Sequence, residues 1–94
     1  MAEEKQFEEK VKRLLKLRGC WVLKTFSNGI QRAGVPDLLV CNKGKFYGVE
    51  VKAEKGRVTK LQEHELKSIE EAGGRALVLK PSGLEGFLKE IDET

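Results

Sequence analysis

Residues 36–53, with the sequence PDLLVCNKGKFYGVEVKA, contain two apolar runs separated by a polar turn. The first run, 37–41, follows a proline, and the second, 46–53, has the apolar and β-branched composition of a strand. The four residues between them, Asn-Lys-Gly-Lys, are typical of a tight turn. We therefore predict a β-hairpin that pairs the two runs as antiparallel strands.

The second run of this hairpin carries a glutamate and a lysine on one face. Because side chains alternate along a strand, Glu50 and Lys52 point the same way, roughly 7 Å apart. Burying both charges in so apolar a strand is costly unless they have partners. Hairpin pairing brings Asp37 towards them, and two carboxylates beside a lysine suit Mg²⁺ with waters and a substrate phosphate. Such a site predicts phosphodiester cleavage, in which Lys52 orients the attacking water or stabilises developing charge.

A Glu-x-Lys tripeptide on its own is common, and its simpler interpretation is an ordinary ion pair on the exposed face of a sheet. The surrounding pattern favours a site instead. Pro36-Asp37 follows a glycine-containing loop, a short apolar strand and a hairpin come next, and Glu50-Val51-Lys52 ends the second apolar strand. The prediction therefore rests on the ordered set of features and not on the tripeptide.

Outside the hairpin, the sequence predicts three helices and two further strands. Thr59 followed by Gln62 has the form of a capping box, and so does Ser82 followed by Glu85. The order α-β-β-β-α-β-α predicts a single α/β domain over residues 1–94, with a central mixed sheet flanked by helices. The expected bounds are Glu3–Arg18 (helix), Cys20–Phe26 (strand), Ser27–Gly34 (loop), Glu54–Val58 (loop), Thr59–Ala72 (helix), Arg75–Lys80 (strand) and Ser82–Ile91 (helix).

The composition is that of a small globular protein with a densely charged surface. Lys and Arg number 18 and Asp and Glu 15, and the net charge of +3 favours a nucleic-acid partner only weakly. The apolar runs are too short to span a membrane and the N-terminus lacks the apolar region of a signal peptide, so we expect a cytoplasmic protein. Cys20 and Cys41 form no CxxC pattern, and with only His64 beside them they are too few for zinc. We expect both cysteines to be small buried side chains without a disulfide.

Three blocks of the sequence together resemble a known family. They are GVPDLLV (34–40), FYGVEVK (46–52) and GRVTKLQ (56–62). In this order they resemble the VRR-NUC group of the PD-(D/E)xK nuclease superfamily, in the compact stand-alone form found in bacteriophages. The chain is also similar to archaeal-type Holliday-junction resolvases, which share the same core. The resemblance runs from about Phe7 to Leu79 and implies a restriction-endonuclease-like core.

The resemblance implies a role for each residue that matches the signature. Asp37 and Glu50 would ligate a Mg²⁺ or Mn²⁺ ion, and the backbone carbonyl of Val51 would complete the protein's contribution. Lys52 would be the catalytic lysine. No small-molecule cofactor is expected.

Two further positions have two interpretations each. Gln62 matches the family's glutamine at the start of the helix after the hairpin, which implies a place near the metal. From the sequence alone it could simply close the capping box with Thr59. Relatives also carry a glutamate on the first helix, and Glu8 fits their spacing better than Glu9. Glu8 is therefore either an additional metal ligand or a solvated helix carboxylate.

Basic residues on loops beside the predicted site are candidates for contacts with DNA phosphates. Taken singly, each could be an ordinary surface charge. The candidates that flank the hairpin most closely are Arg32, Lys55, Arg57 and Lys60. Candidates with less support are Lys12, Arg13 and Lys24. Ser27 and Asn28 could position a DNA strand or only shape a turn, and His64 is expected to be exposed.

The function that we predict is a Mg²⁺- or Mn²⁺-dependent endodeoxyribonuclease for four-way or other branched DNA, as used in DNA repair. A homodimer is implied by the resemblance and by the small size, since two sites related by a two-fold axis suit a symmetric junction. The alternative is a non-catalytic nucleic-acid-binding module that uses the basic loops alone. Two carboxylates near phosphate argue against this alternative, because a protein that only binds nucleic acid has no need of them. A third hypothesis is an interaction protein in which Glu50 and Lys52 form a surface pair.

Overall fold

The computed structural model describes residues 2–26 and 32–94, so part of the predicted 27–34 loop lies outside the described residues. The helices and strands follow one another in the predicted order. They are α1 (Ala2–Leu17), β1 (Trp21–Lys24), β2 (Leu38–Asn42), β3 (Lys45–Val51), α2 (Lys60–Glu71), β4 (Arg75–Leu79), a 3₁₀ turn (Pro81–Gly83) and α3 (Leu84–Asp92). Among the described helices, none is long and apolar enough to cross a bilayer.

The four strands form one mixed sheet in the order β1-β2-β3-β4. The first three strands pair antiparallel in succession, and β4 pairs parallel to β3 after the crossover through α2. In this register Leu38 lies between Lys24 on one side and Val49 on the other. Asp37 precedes Leu38 by one residue, and it therefore lies beside Glu50 and close to Lys24. The predicted hairpin and mixed sheet are confirmed.

Both faces of β3 are covered, because its residues 47–51 are all buried. One face belongs to the main core, which joins the sheet to α1 and α3. The core comprises Phe7, Val11, Leu15, Cys20, Leu38, Val40, Tyr47, Val49, Val51, Leu79, Phe87 and Ile91. The other face lies under α2, where a Cβ on Gly48 would come within 2.6 Å of the Ile69 side chain. Glu50 shares the Gly48 face by strand alternation. Both cysteines are free thiols, and Cys20 is buried as predicted, whereas Cys41 is only partly buried.

The capping box predicted at the start of α3 is wrong. The Ser82 backbone N–H and hydroxyl both donate to the Glu54 carboxylate, at 2.9 and 2.6 Å. The N-cap of α3 is Gly83, which has no side chain to offer. Two charge-assisted hydrogen bonds to one carboxylate hold Ser82 more strongly than the predicted capping-box hydrogen bonds with Glu85 would. The box at the start of α2 is confirmed, with both reciprocal hydrogen bonds between Thr59 and Gln62 present.

Gly34 brings the loop before Asp37 against the first turn of α2. Its φ is +90°, and a Cβ there would lie 2.6 Å from the backbone oxygen of Leu61. We expect Gly34→Ala to lower the free energy of unfolding by about 1–2 kcal/mol for the left-handed backbone and by about 1–3 kcal/mol more for the clash. Gly44→Ala is the matched control, because Gly44 has a φ of +86° with nothing within 4 Å of the Cβ position. Urea unfolding compares the two variants, and equal losses would contradict the close approach.

Candidate active site at the junction of β2 and β3

Asp37 is fixed by hydrogen bonds to two neighbouring strands. Its backbone carbonyl accepts the N–H of Thr25 at 2.9 Å, and the Thr25 hydroxyl donates to the carbonyl of Pro36 at 2.7 Å. Its carboxylate oxygen Oδ2 accepts the backbone N–H of Val51 at 2.9 Å. These contacts leave the second carboxylate oxygen, Oδ1, on the side of the cleft that Lys24 also lines. The Asp37 side chain is therefore held in one orientation at the end of the sheet.

Glu50 is a buried carboxylate, with only 2% of its surface exposed. Its Oε2 accepts a hydrogen bond from Gln62 Nε2 at 3.1 Å and lies 3.5 Å from Lys52 Nζ. Its Oε1 is buried and has no hydrogen-bond partner among the described residues. Burial, followed by the neighbouring Asp37 carboxylate, raises the pKa of Glu50 to about 8, against the opposing effect of Lys52. A cation or a proton beside Oε1 would stabilise this group.

Lys52 and Glu50 do not form a surface ion pair. The Lys52 side chain is 14% exposed and that of Glu50 2% exposed, which excludes the solvated sheet face of the simpler interpretation. Lys52 lies one residue beyond β3, where its backbone N–H donates to Leu79 O at 3.0 Å and continues the pairing with β4. The backbone of both parallel strands thus fixes the position of the lysine.

Gln62 closes the predicted capping box and also contacts Glu50. Its side-chain oxygen accepts the Thr59 N–H at 2.9 Å and closes the capping box. Its side-chain nitrogen donates to Glu50 Oε2. An amide has one acceptor end and one donor end, so a single rotamer caps α2 and positions the buried glutamate. The helix start and the site are therefore coupled through one side chain.

Glu8 lies on the side of Asp37 that faces Lys24. It is not the solvated carboxylate of the simpler interpretation. It is buried on α1, and its Oε1 accepts a hydrogen bond from Lys24 Nζ at 2.9 Å. The same ammonium group lies 3.9 Å from Asp37 Oδ1. The three side chains line a cleft of about 220 Å³ together with Glu4 and Lys5. Lys24 thus joins Glu8 to Asp37.

The donor set fits a divalent metal ion that prefers oxygen ligands. Asp37 and Glu50 provide two adjacent carboxylates, and the buried Glu50 Oε1 has no hydrogen-bond partner within residues 2–26 and 32–94, so a cation there would stabilise its ionised form. Mg²⁺ is commonly held by one or two carboxylates with water completing its shell. Over residues 2–26 and 32–94, no three His, Cys, Asp or Glu side chains form a ready-made cluster. The carboxylate pair would therefore be completed by backbone oxygen and water.

Comparison with known proteins identifies the family. The sequence profile of the archaeal Holliday junction resolvase (hjc) family matches residues 2–86. The chain belongs to this family. A solved structure described as a VRR_NUC domain matches at 24% identity and a TM-score of 0.70, over 97% of this chain and 91% of that one, which shows a common fold. A search among curated proteins finds no match. The predicted resemblance to archaeal-type Holliday-junction resolvases is confirmed, and the predicted resemblance to VRR-NUC domains is confirmed for the fold.

In this resolvase-family chain, the structure brings only some of the predicted basic residues to the site. Arg32 lines a cleft of about 240 Å³ with Asp37 and Gln62, and its guanidinium pairs with Glu65 at 2.9 Å. Arg57 lines a different cleft, of about 440 Å³, on the β4 side of α2. The remaining two predicted DNA contacts, Lys55 and Lys60, and also His64, are exposed, whereas Ser27 and Asn28 lie outside the described residues.

Three features of the resolvase-family site are not predicted by the sequence. The sequence marks Lys24 only as a candidate contact for DNA, whereas its ammonium group pairs with two carboxylates. The other two features are the hydrogen bonds of Thr25 and the pairing of Arg32 with Glu65.

Proposed function

We propose that this chain is a metal-dependent endonuclease that hydrolyses phosphodiester bonds in four-way junctions or other branched DNA. The observation that carries the proposal is the buried Glu50 carboxylate beside Asp37 and Lys52, with one oxygen that has no partner in the part of the chain that the structure describes. A structural ion pair needs no second carboxylate and leaves no buried oxygen unsatisfied. Membership of the archaeal Holliday junction resolvase family supports the choice of branched DNA.

The metal ion would be Mg²⁺ or Mn²⁺, held by the carboxylates of Asp37 and Glu50 and by the backbone carbonyl of Val51. When bound, it would supply Lewis-acid polarisation of the scissile phosphate and a lowered pKa for bound water. All three protein ligands are oxygen atoms, which suits these two ions and not a thiolate-seeking metal. The hydrogen bond from Val51 N–H to Asp37 Oδ2 orients the first carboxylate for this purpose.

Gln62 and Lys52 have separate roles in the proposed reaction. Gln62 donates to Glu50 Oε2, so the other oxygen, Oε1, is the one that would serve as the metal ligand. Lys52 is held 3.5 Å from the same Oε2, and this position supports a role for its ammonium group in catalysis. Its ammonium group would hydrogen-bond the attacking water or a phosphate oxygen, where negative charge increases in the transition state.

Contacts with the DNA backbone are proposed for Arg32, Lys55, Arg57 and Lys60. Arg32 is the best placed of them, since its guanidinium is 76% exposed in the cleft that Asp37 also lines. Phosphate contacts of this kind give affinity and position but no sequence preference. We propose a homodimer as the active form, because two sites related by a two-fold axis match the symmetry of a four-way junction.

Cleavage of a panel of DNA substrates tests the proposal. We expect the protein to cut a four-way junction or a flap in Mg²⁺ or Mn²⁺, to cut plain duplex more slowly, and to cut nothing in EDTA. Asp37→Asn is the matched inactive variant, because an amide oxygen can still accept the Val51 N–H while the ligand charge is lost. Failure to cut any substrate with either metal would reject the nuclease. Tight binding of junctions without cutting would favour the non-catalytic module instead.

A further inference from the structure

Lys24 provides an ammonium group beside the carboxylates of the candidate site. Lys24 Nζ lies 2.9 Å from Glu8 Oε1 and 3.9 Å from Asp37 Oδ1. Nucleases that use two metals place them roughly 3.5–4 Å apart, bridged or flanked by carboxylates. The Lys24 ammonium likewise lies between two carboxylates, those of Glu8 and Asp37.

The fold holds this ammonium group firmly in place. Lys24 ends β1 and lies opposite Leu38 in the sheet, so its side chain starts next to Asp37. The Lys24 and Glu8 side chains are 27% and 10% exposed, and the ring of Phe26 lies 5.8 Å from Lys24 Nζ on a third side. A partly buried ion pair is screened less by solvent than a surface pair, so it competes better with an incoming cation.

The charge balance also favours one divalent ion. With all groups ionised, three carboxylates (Glu8, Asp37 and Glu50) face two ammonium groups (Lys24 and Lys52), which leaves one net negative charge. One divalent ion would make the set singly positive, which matches the single negative charge of a phosphodiester. A second divalent ion would leave three positive charges together in a half-buried cleft, which Coulomb repulsion opposes.

We propose that Lys24 is a built-in cation that takes the place of a second metal between Glu8 and Asp37, so that the site binds a single divalent ion. Glu8 is then a positioning residue for Lys24 and not a metal ligand. The inference rests on the proposed function, since it concerns the number of ions that the same carboxylates hold. It makes Lys24 part of the electrostatics of the site and not only a contact for DNA.

Counting bound Mn²⁺ on the whole chain, without DNA, tests the inference. Loss of the electron paramagnetic resonance signal of aqueous Mn²⁺ gives the number bound, and calorimetric titration gives a second value. We expect one ion per chain for the wild type and for Lys24→Arg, and two for Lys24→Met, in which Glu8 becomes accessible as a ligand. Adding Glu8→Gln to Lys24→Met returns the count to one. Lys12→Met is the matched control, because it removes a lysine–carboxylate pair with Glu9 elsewhere on α1 and leaves one ion.

Each other result has a definite meaning. Two ions bound to the wild type, or one ion bound to a folded Lys24→Met, would overturn the built-in cation and leave the nuclease proposal standing. No Mn²⁺ bound to the wild type would reject the metal-dependent nuclease itself. Circular dichroism confirms that each variant is folded, and the count on the wild type decides the matter even where Lys24→Met does not fold.

Discussion

Replacement of Lys52 by methionine is expected to reduce DNA cleavage by about 10²–10³-fold, the loss typical of removing one group that stabilises transition-state charge. Methionine keeps most of the volume of the side chain and removes only the ammonium group, which lies 3.5 Å from Glu50 Oε2. Mn²⁺ affinity should be no weaker than in the wild type, because a positive charge beside the carboxylates has been removed. Lost cleavage with retained metal binding is the pattern of a catalytic group.

The measurement is single-turnover cleavage of a labelled junction at saturating protein, with Mn²⁺ binding measured on the same sample. Lys43→Met is the control, because Lys43 lies at the hairpin turn, roughly 20 Å along β2 from Asp37. It should cleave at the wild-type rate. If Lys52→Met cleaved within threefold of the wild type, or lost Mn²⁺ binding as well, the proposed role of Lys52 would be wrong.

The central part of the site follows from the sequence by one geometric argument. A tight turn between two apolar runs fixes the register of the hairpin. That register alone puts Asp37, the residue before β2, beside Glu50 in β3. Asp37, Glu50 and Lys52 were therefore predictable, and the structure brings these side chains together. Gln62 was predictable as well, because a capping box fixes where α2 begins.

The rest of the site depends on pairings between residues distant in sequence. Its aromatic and β-branched composition predicts that β1 is a strand, but it does not reveal that β1 pairs with β2 in the register that puts Lys24 next to Asp37. The Ser82 error has the same origin, since Glu54 lies 28 residues away along the chain and displaces a pattern that is locally correct. Local rules predict local hydrogen bonds, and a distant carboxylate competes with them without leaving a signal in the sequence.

Glu50→Gln is expected to abolish cleavage and yet to stabilise the metal-free protein at alkaline pH. The folded chain raises the pKa of Glu50 from the ordinary value of 4.5 to about 8, through burial and the neighbouring Asp37. Below the ordinary pKa, the carboxyl group is protonated in both the folded and the unfolded chain, and it does not lower the free energy of unfolding. Between the ordinary and the folded pKa, only the unfolded chain releases its proton, so the free energy of unfolding falls as the pH rises. The loss is complete above the folded pKa.

Glutamine does not titrate, so the variant escapes this penalty. Its amide oxygen can still accept the hydrogen bond from Gln62, and its amide nitrogen can donate to Asp37. Each pKa unit corresponds to about 1.4 kcal/mol, so the gain in free energy of unfolding at pH 9 should reach several kcal/mol in order of magnitude and vanish near pH 4. Urea unfolding in EDTA at the two pH values measures it, and a variant less stable than the wild type at pH 9 would contradict the prediction.

Metal addition separates the two effects of Glu50. At pH 8, Mg²⁺ at a hundred times its dissociation constant should stabilise the wild type by about 2.7 kcal/mol through mass action. Glu50→Gln should gain far less, because the carboxylate oxygen that lacks a hydrogen-bond partner in the described chain is gone. We expect the wild type to be less stable than Glu50→Gln without metal, and we expect Mg²⁺ to stabilise only the wild type. Together these two results would show that the buried carboxylate serves to bind a cation and does not serve stability. Equal responses of the two proteins to Mg²⁺ would place the ion elsewhere.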